Sequence, residues 1–290
     1  MTSALLGGVG YRNKQPFIDL VLSDGTIKTY SPYDLHDFSF ILDTRYCIGW
    51  YDMTTHTRHV CPESTVTDAK YDTCPTCQKR TGFNPAFYHA AAISPQQQQR
   101  NTEPHAVYLA YFGEGVVKVG IAHAARIYDR LLEQGARHAY VLETAPSALI
   151  ARDHEARIAD LPWIRESVQA SQKQRLITQP LDVYKIKQEL DNHIKKIADE
   201  LHLVFDTSEY LALDPFYFAS DNVLDLTSID DITDQAKIAG TPVGLVGTII
   251  INDYDGRLVL SNLKKYVGYQ ISQSNTPLTI ALTPRQVSLF

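Results

Sequence analysis

The chain is sparing with cysteine. All four, Cys47, Cys61, Cys74 and Cys77, fall within about thirty of its 290 residues. It has no apolar run near the roughly 20 residues that span a bilayer. Its first residues, MTSALLGGVGYRN, lack the charged leader and long apolar core of a secretory signal. The expectation is a soluble cytoplasmic protein with no membrane partner, whose thiols stay reduced unless a metal holds them. Positive charge is short as well: the formal net charge is −6, and no Lys or Arg occurs between Phe205 and Lys237. That balance excludes a broad cationic coat for polyanions and leaves room only for a confined basic groove. No period of the kind that builds solenoids is present. With 44% apolar and 21% charged residues, disorder is not the default, and the length suits two or three small cores.

The cysteines that are present form a pattern, Cys47-x13-Cys61-x12-Cys74-x2-Cys77. A Cys-x-x-Cys turn brings two thiolates onto one ion, and two loop sulfurs complete the tetrahedron that zinc prefers. Pro75, inside the pair, has a fixed φ suited to a tight turn. His56 and His59 share the loop, so three cysteines plus a histidine is the alternative shell. A redox Cys-x-x-Cys lacks the thioredoxin-like strand it needs before Cys74. A structural zinc is expected.

Along the chain, FIDLVLSDGTIKTY reads as a hairpin turned at Asp24-Gly25, in a type I′ turn. SPQQQQRNTEP, residues 94–104, has no apolar period and reads as a polar boundary between domains. After it come two strands, a helix, the strand HAYVLET and a helix capped by Ser147. In 183–201, Val183, Ile186, Leu190, Ile194, Ile197 and Leu201 mark one helical face, expected to pack as a connector. The tail from 240, ending in PLTIALTP, reads as strands of a small sheet or barrel. The aromatics Tyr210, Phe216, Tyr217 and Phe218 have acidic neighbours and read as core.

Residues 106–121, AVYLAYFGEGVVKVGI, are two β-rich runs around Gly113-Glu114-Gly115. Centring the turn on Glu114 sets Tyr111 against Val117, Ala110 against Lys118, Leu109 against Val119 and Tyr108 against Gly120. Side chains alternate with period two, so Tyr108, Ala110, Lys118 and Gly120 share one face. A phenol, an ammonium and a glycine that opens space look like the floor of a site.

With Ala106-Val107-Tyr108 and Lys118-Val119-Gly120 as its two strands, Arg130 in ARIYDRLLEQGAR and Glu155 in ARDHEARIADL, this stretch resembles the GIY-YIG nuclease superfamily. Ala106 stands where that family has Gly, Lys118 where it has its second Tyr, and Arg126 rivals Arg130 for the essential arginine. The flanks, with GFNPAFYHA and LLEQGAR, resemble an uncharacterised family that joins a cysteine cluster to the same hairpin.

The residues, with the resemblance for the central part, give an α+β chain in four parts. These are an N-terminal β section with a zinc knuckle (1–93), a GIY-YIG-like α/β domain (104–162), a helical connector with an acidic segment (163–239) and a C-terminal β section (240–290). The resemblance implies a metal-dependent phosphodiesterase acting on DNA or RNA. Tyr108 would position or deprotonate water, Arg130 hold the phosphate, and Glu155 bind magnesium or manganese beside the leaving oxygen. Lys118 would lower the Tyr108 pKa or act as a base; Arg126 and His123 would contact substrate. The alternatives are a non-catalytic module that binds nucleic acid or protein, and an enzyme of different chemistry in the same cleft.

Overall fold

The computed structural model describes residues 4–68, 71–82, 93–165, 167–205, 209–220 and 224–284. Most of GFNPAFYHA lies outside these residues. The chain opens with strands β1 (Ala4–Arg12), β2 (Gln15–Leu22), β3 (Ile27–Tyr30) and β4 (Phe38–Ile41). The β2–β3 hairpin has Ile18 facing Tyr30 and Val21 facing Ile27. Its turn differs from the type I′ expected. Leu22 N donates to Thr26 O at 2.8 Å, and Gly25 takes the positive φ alone, at 81°. Asp24 instead accepts the Thr26 N–H and hydroxyl on its carboxylate, so the loop holds three residues.

A two-stranded hairpin follows, β5 (Trp50–Asp52) and β6 (Thr57–His59), then helices α1 (Pro75–Thr81) and α2 (Pro95–Asn101). The polar stretch read as a boundary linker is thus a helix. Ser94 caps it, its Oγ accepting from Gln97 N at 3.2 Å, and Pro95 takes the first helical position, where its missing N–H costs nothing. The Ser-Pro start outweighed the absence of an apolar period.

The middle of the chain runs β7 (His105–Gly113), β8 (Val116–His123), α3 (Ile127–Gln134), β9 (His138–Ala145) and α4 (Ala148–Ala159). Helices α5 (Ala170–Leu176) and α6 (Val183–Leu201) and strand β10 (Glu209–Ala212) follow. Ser147 caps α4 as expected, accepting from Ile150 N. The sheet order is β10-β9-β7-β8, with β7 buried along its whole length.

The segment read as a connector belongs to this sheet. Strand β10 pairs antiparallel with β9, and α6 buries Ile186, Leu190 and Ile197 against Val107, Leu109 and Val119. Each such side chain removed from water is worth about 1.5–3 kcal/mol. Without α6 the part of that sheet face not covered by α4 would lie open.

The last strands are β11 (Asp230–Asp231), β12 (Lys237–Ile238), β13 (Thr241–Val246), β14 (Ile249–Tyr254), β15 (Arg257–Asn262) and β16 (Gln270–Gln273). Strands β11 and β13–β15 form one sheet in the order β11-β15-β14-β13. Strands β12 and β16 leave it to join the N-terminal strands, giving β12-β4-β16-β1-β2-β3. The two terminal sections, read apart in the sequence, therefore meet in one sheet. Pairing with β16 gives β1 a hydrogen-bonded neighbour on its second edge. PLTIALTP forms no strand; Leu278, Ile280 and Leu282 instead pack an irregular segment against Val259.

A shared core links the sections. Tyr11 and Ile18 from the N-terminal strands, Leu245 and Ile250 from the C-terminal ones, and Leu131 of α3 all pack on the face of the central sheet that carries Tyr108. The opposite face is covered by α4 and α6.

Candidate functional site

The β7–β8 register is the one the alternation predicts, with Tyr108 opposite Gly120 and Ala110 opposite Lys118. Val107, Leu109, Val117 and Val119 point into the core under α6, so Tyr108 and Lys118 share the other face. Gly120 is the device that admits the phenol. A Cβ there would lie 2.5 Å from the Tyr108 hydroxyl oxygen and 2.6 Å from Cζ, so the ring leans across the glycine.

Tyr108 is 1% exposed, and its hydroxyl accepts from Gln134 Nε2 at 2.6 Å. The positive charge of the Arg130 guanidinium also acts on it. Gln134 follows Arg130 by four residues on α3, which puts both side chains on one helical face. Burial raises the Tyr108 pKa, with Arg130 and Gln134 opposing and the Glu155 charge adding to the rise. This corrects the expectation for Lys118. The cation on the phenol is Arg130, and the net shift is upward, because stripping water from a phenolate outweighs the nearby charge.

Lys118 is half-buried on β8, beside a short parallel bridge to Arg165 in which Val119 N donates to Arg165 O at 3.3 Å. Glu155, 8% exposed on α4, pairs with Arg152 one turn before it. Its charge acts on Tyr108 although α4 packs on the far face. Arg126, just ahead of α3, bonds Glu133 Oε1 at 2.6 Å. His123 falls on the opposite alternation from Tyr108. Its Nε2 meets Glu103, its Nδ1 accepts from Ala125 N, and its ring packs edge-on against His105. Both ring nitrogens serve the local fold.

Two side chains that the sequence did not single out join this cluster. One is Gln134. The other is Lys173 on α5, whose Nζ donates to Gln134 O at 2.6 Å and lies 5.0 Å from the Phe112 ring centroid. Burial and the charges of Lys118 and Arg130 lower its pKa to about 8. Gln134 was legible as the i+4 neighbour of Arg130; nothing in SQKQR marks Lys173.

The cysteine cluster lies apart. The four sulfurs lie within 4.8 Å of one another, all buried, and Cys61 and Cys74 are 4.0 Å apart. A zinc tetrahedron with bonds of about 2.3 Å spaces its sulfurs about 3.8 Å apart. Four cysteines so placed could hold a metal such as zinc. Cys74 N and Gly49 N both donate to Cys47 Sγ, at 3.1 and 3.4 Å, as amides do to thiolates. Against the opposing effect of burial, hydrogen bonds from Thr65 draw the Cys61 pKa down to about 6.

Pro75 opens α1 rather than closing a tight turn, and Cys74 is that helix's N-cap residue. His59 stacks on Trp50 and His56 contacts Tyr51, so neither histidine joins the group. Among the described residues this is the one cluster of three or more potential metal ligands, and no helix among them is long and apolar enough to cross a membrane.

Residues 60–271 match the family described as Protein of unknown function (DUF2797). The chain belongs to that family. The DUF2797 match takes in the whole central sheet, Lys173 and three of the four cysteines, and starts after Cys47. No curated protein and no solved structure matches the chain.

Proposed function

We propose that the central sheet and α3 form the site of a phosphodiesterase acting on DNA or RNA, a nuclease of GIY-YIG-like design. The observation that carries this reading is the meeting of Arg130, Gln134 and the Tyr108 hydroxyl beside Lys118, on a hairpin whose Gly120 makes the space. Phosphodiester cleavage needs positive charge on the phosphate and fixed donors where negative charge grows. Arg130 is the exposed member, so it is the group that meets substrate. Tyr108, buried and kept protonated, is a positioning residue that holds Arg130 and Gln134 in place. Lys118 adds a second cation on the same face.

Glu155 would hold a divalent cation once Arg152 swings aside. A single carboxylate suits magnesium or manganese, which keep several waters. Held by Glu155, such an ion would supply neutralising charge to the departing oxygen.

The test is cleavage of single-stranded and duplex DNA and of RNA by the purified chain with Mg²⁺ or Mn²⁺. Arg130→Ala and Glu155→Gln should each lower the rate by about 100-fold or more while the fold is kept. Intact substrate in every case would overturn the reading. The Arg152–Glu155 pair favours a second reading, a module that binds nucleic acid without cutting it. Its mark would be retention of nucleic acid at low salt, unaffected by Glu155→Gln.

A further inference from the structure

A cavity of about 310 Å³ lies between the end of α3, α5 and the β13–β14 turn, with Phe112, Val246 and Ile249 as apolar wall. Clefts that take small ligands are mostly apolar, with a few placed polar groups. Asn262 is the clearest such group here. It is 4% exposed and lines the cavity, and its Oδ1 accepts from Thr248 Oγ1 at 3.1 Å and from Lys264 N at 3.2 Å. The backbone donor fixes which end of the amide is the oxygen. Nδ2 is then left with no acceptor among the described residues, although a buried amide donor normally has one.

Three further lining side chains keep unused capacity. Lys173 gives one of its N–H donors to Gln134 O and forms no ion pair among the described residues. Glu133 meets Arg126 through Oε1 and Gln134 meets Tyr108 through Nε2, so Glu133 Oε2 and Gln134 Oε1 remain as acceptors. The other charges in the wall are matched, Arg137 to Asp214 and Lys264 to Asp72. A carboxylate and an ammonium on one cavity disfavour a bare anion and a bare cation alike. They suit a neutral ring that presents carbonyl acceptors and N–H donors together.

We propose that this cavity binds a guanine base, with Asn262 Nδ2 and Lys173 on its O6 and N7, and the free oxygens of Glu133 and Gln134 on N1–H and the 2-amino group. Lysine pairs commonly with O6 and N7 of guanine, whereas adenine has no carbonyl and thymine and uracil have no amino group. Cytosine has both, but one donor group against guanine's two. Gln134 also touches the Tyr108 hydroxyl, so a base seated here lies one residue from the cluster assigned to the phosphate. Its role as the base recognised beside the cleaved bond rests on the phosphodiesterase reading; the base site itself rests on the cavity and Asn262.

The test is calorimetric titration of the full chain with guanosine, inosine, adenosine, cytidine and uridine. Guanosine should bind at least about 10-fold more tightly than each of the others. Inosine lacks only the 2-amino group, so it reads the Glu133 and Gln134 contacts without altering the protein. Asn262→Asp keeps the oxygen that serves Thr248 and Lys264 N and removes the free donor; it should weaken guanosine by about 10-fold or more, and Lys173→Met should do likewise. Glu133→Gln should narrow the preference for guanosine over inosine. Displacement of guanosine by an oligonucleotide that contains guanine, and not by one that lacks it, would identify a strand as the source; guanosine binding without displacement would identify the free nucleoside. Equal affinity for guanosine and adenosine, unchanged guanosine affinity in folded Asn262→Asp and Lys173→Met, or no binding by wild type would overturn the proposal. Cleavage without guanosine binding would sink this inference alone; guanosine binding without cleavage would sink the phosphodiesterase reading alone.

Discussion

Replacing Gly120 with alanine isolates the contact on which the site's geometry depends. Gly120 does not need a positive φ, so an alanine there is compatible with the backbone and by itself gains about 0.5–1 kcal/mol in a strand. The opposing effect is steric. The new Cβ would stand 2.5 Å from the Tyr108 hydroxyl oxygen and 2.6 Å from Cζ, so a ring that is 1% exposed must retreat by roughly 1 Å into a filled core. Overpacking of this kind costs about 1–3 kcal/mol, and loss of the Gln134 hydrogen bond adds about 0.5–1.5. The net expectation is destabilisation by about 2 kcal/mol, read as a lower urea midpoint at unchanged slope. In a Tyr108→Leu background the hydroxyl and Cζ are gone, and the same Gly120→Ala change should be neutral or stabilising. Equal effects in both backgrounds, or less than about 0.5 kcal/mol in wild type, would show that the ring does not rest on the glycine.

Elemental analysis of protein purified without added metal should find one zinc per chain, and chelation should speed proteolysis around residues 45–80 while leaving the central sheet protected. Lys173 gives a pH signature: its folded pKa of about 8 lies below the ordinary 10.5, so its destabilisation is complete below pH 8 and is relieved as pH rises towards 10.5. Wild type should therefore gain stability relative to Lys173→Met between pH 7.5 and 10, by up to about 1.4 kcal/mol per unit of pKa depression, trimmed by solvent screening; parallel pH curves would contradict the burial of that charge. Leu190→Ala should cost about 2–5 kcal/mol in thermal or urea unfolding, because α6 is a structural layer of the sheet; a loss below about 1 would mean that the helix packs loosely, as a connector would.

Local features of this chain could be read because their causes are local. The hairpin register follows from alternation about Glu114, the cap at Ser147 from one hydroxyl facing an open amide, and the α6 face from period 3.6, except that its first member, Val183, lies exposed at the start of the helix. The cysteine cluster could be read because four thiols concentrated in one stretch, two of them as Cys-x-x-Cys, match the ligand spacing of a metal site. Helix α2 does not show in the apolar period because Ser94 and Pro95 start it through its backbone amides, which leaves a helix where a linker is expected.

What the sequence hid depends on partners far along the chain. Strand β16 pairs Ile271 with Ala4, and neither segment carries a mark of the other. The same holds for the site. The resemblance directs attention to 104–162, where a lysine in place of a tyrosine prompts the question of what that charge does. The structure answers with an element outside that range. Lys173 arrives on a short polar helix whose only sequence signal is helix propensity, and the shared core that seats α3 against the terminal sheets also brings α5 to the end of α3. Lys118 then reads as one corner of a cationic set assembled from β8, α3 and α5. On an acidic chain of net charge −6, the burial of Lys173 beside the charges of Lys118 and Arg130 concentrates positive charge at one end of α3.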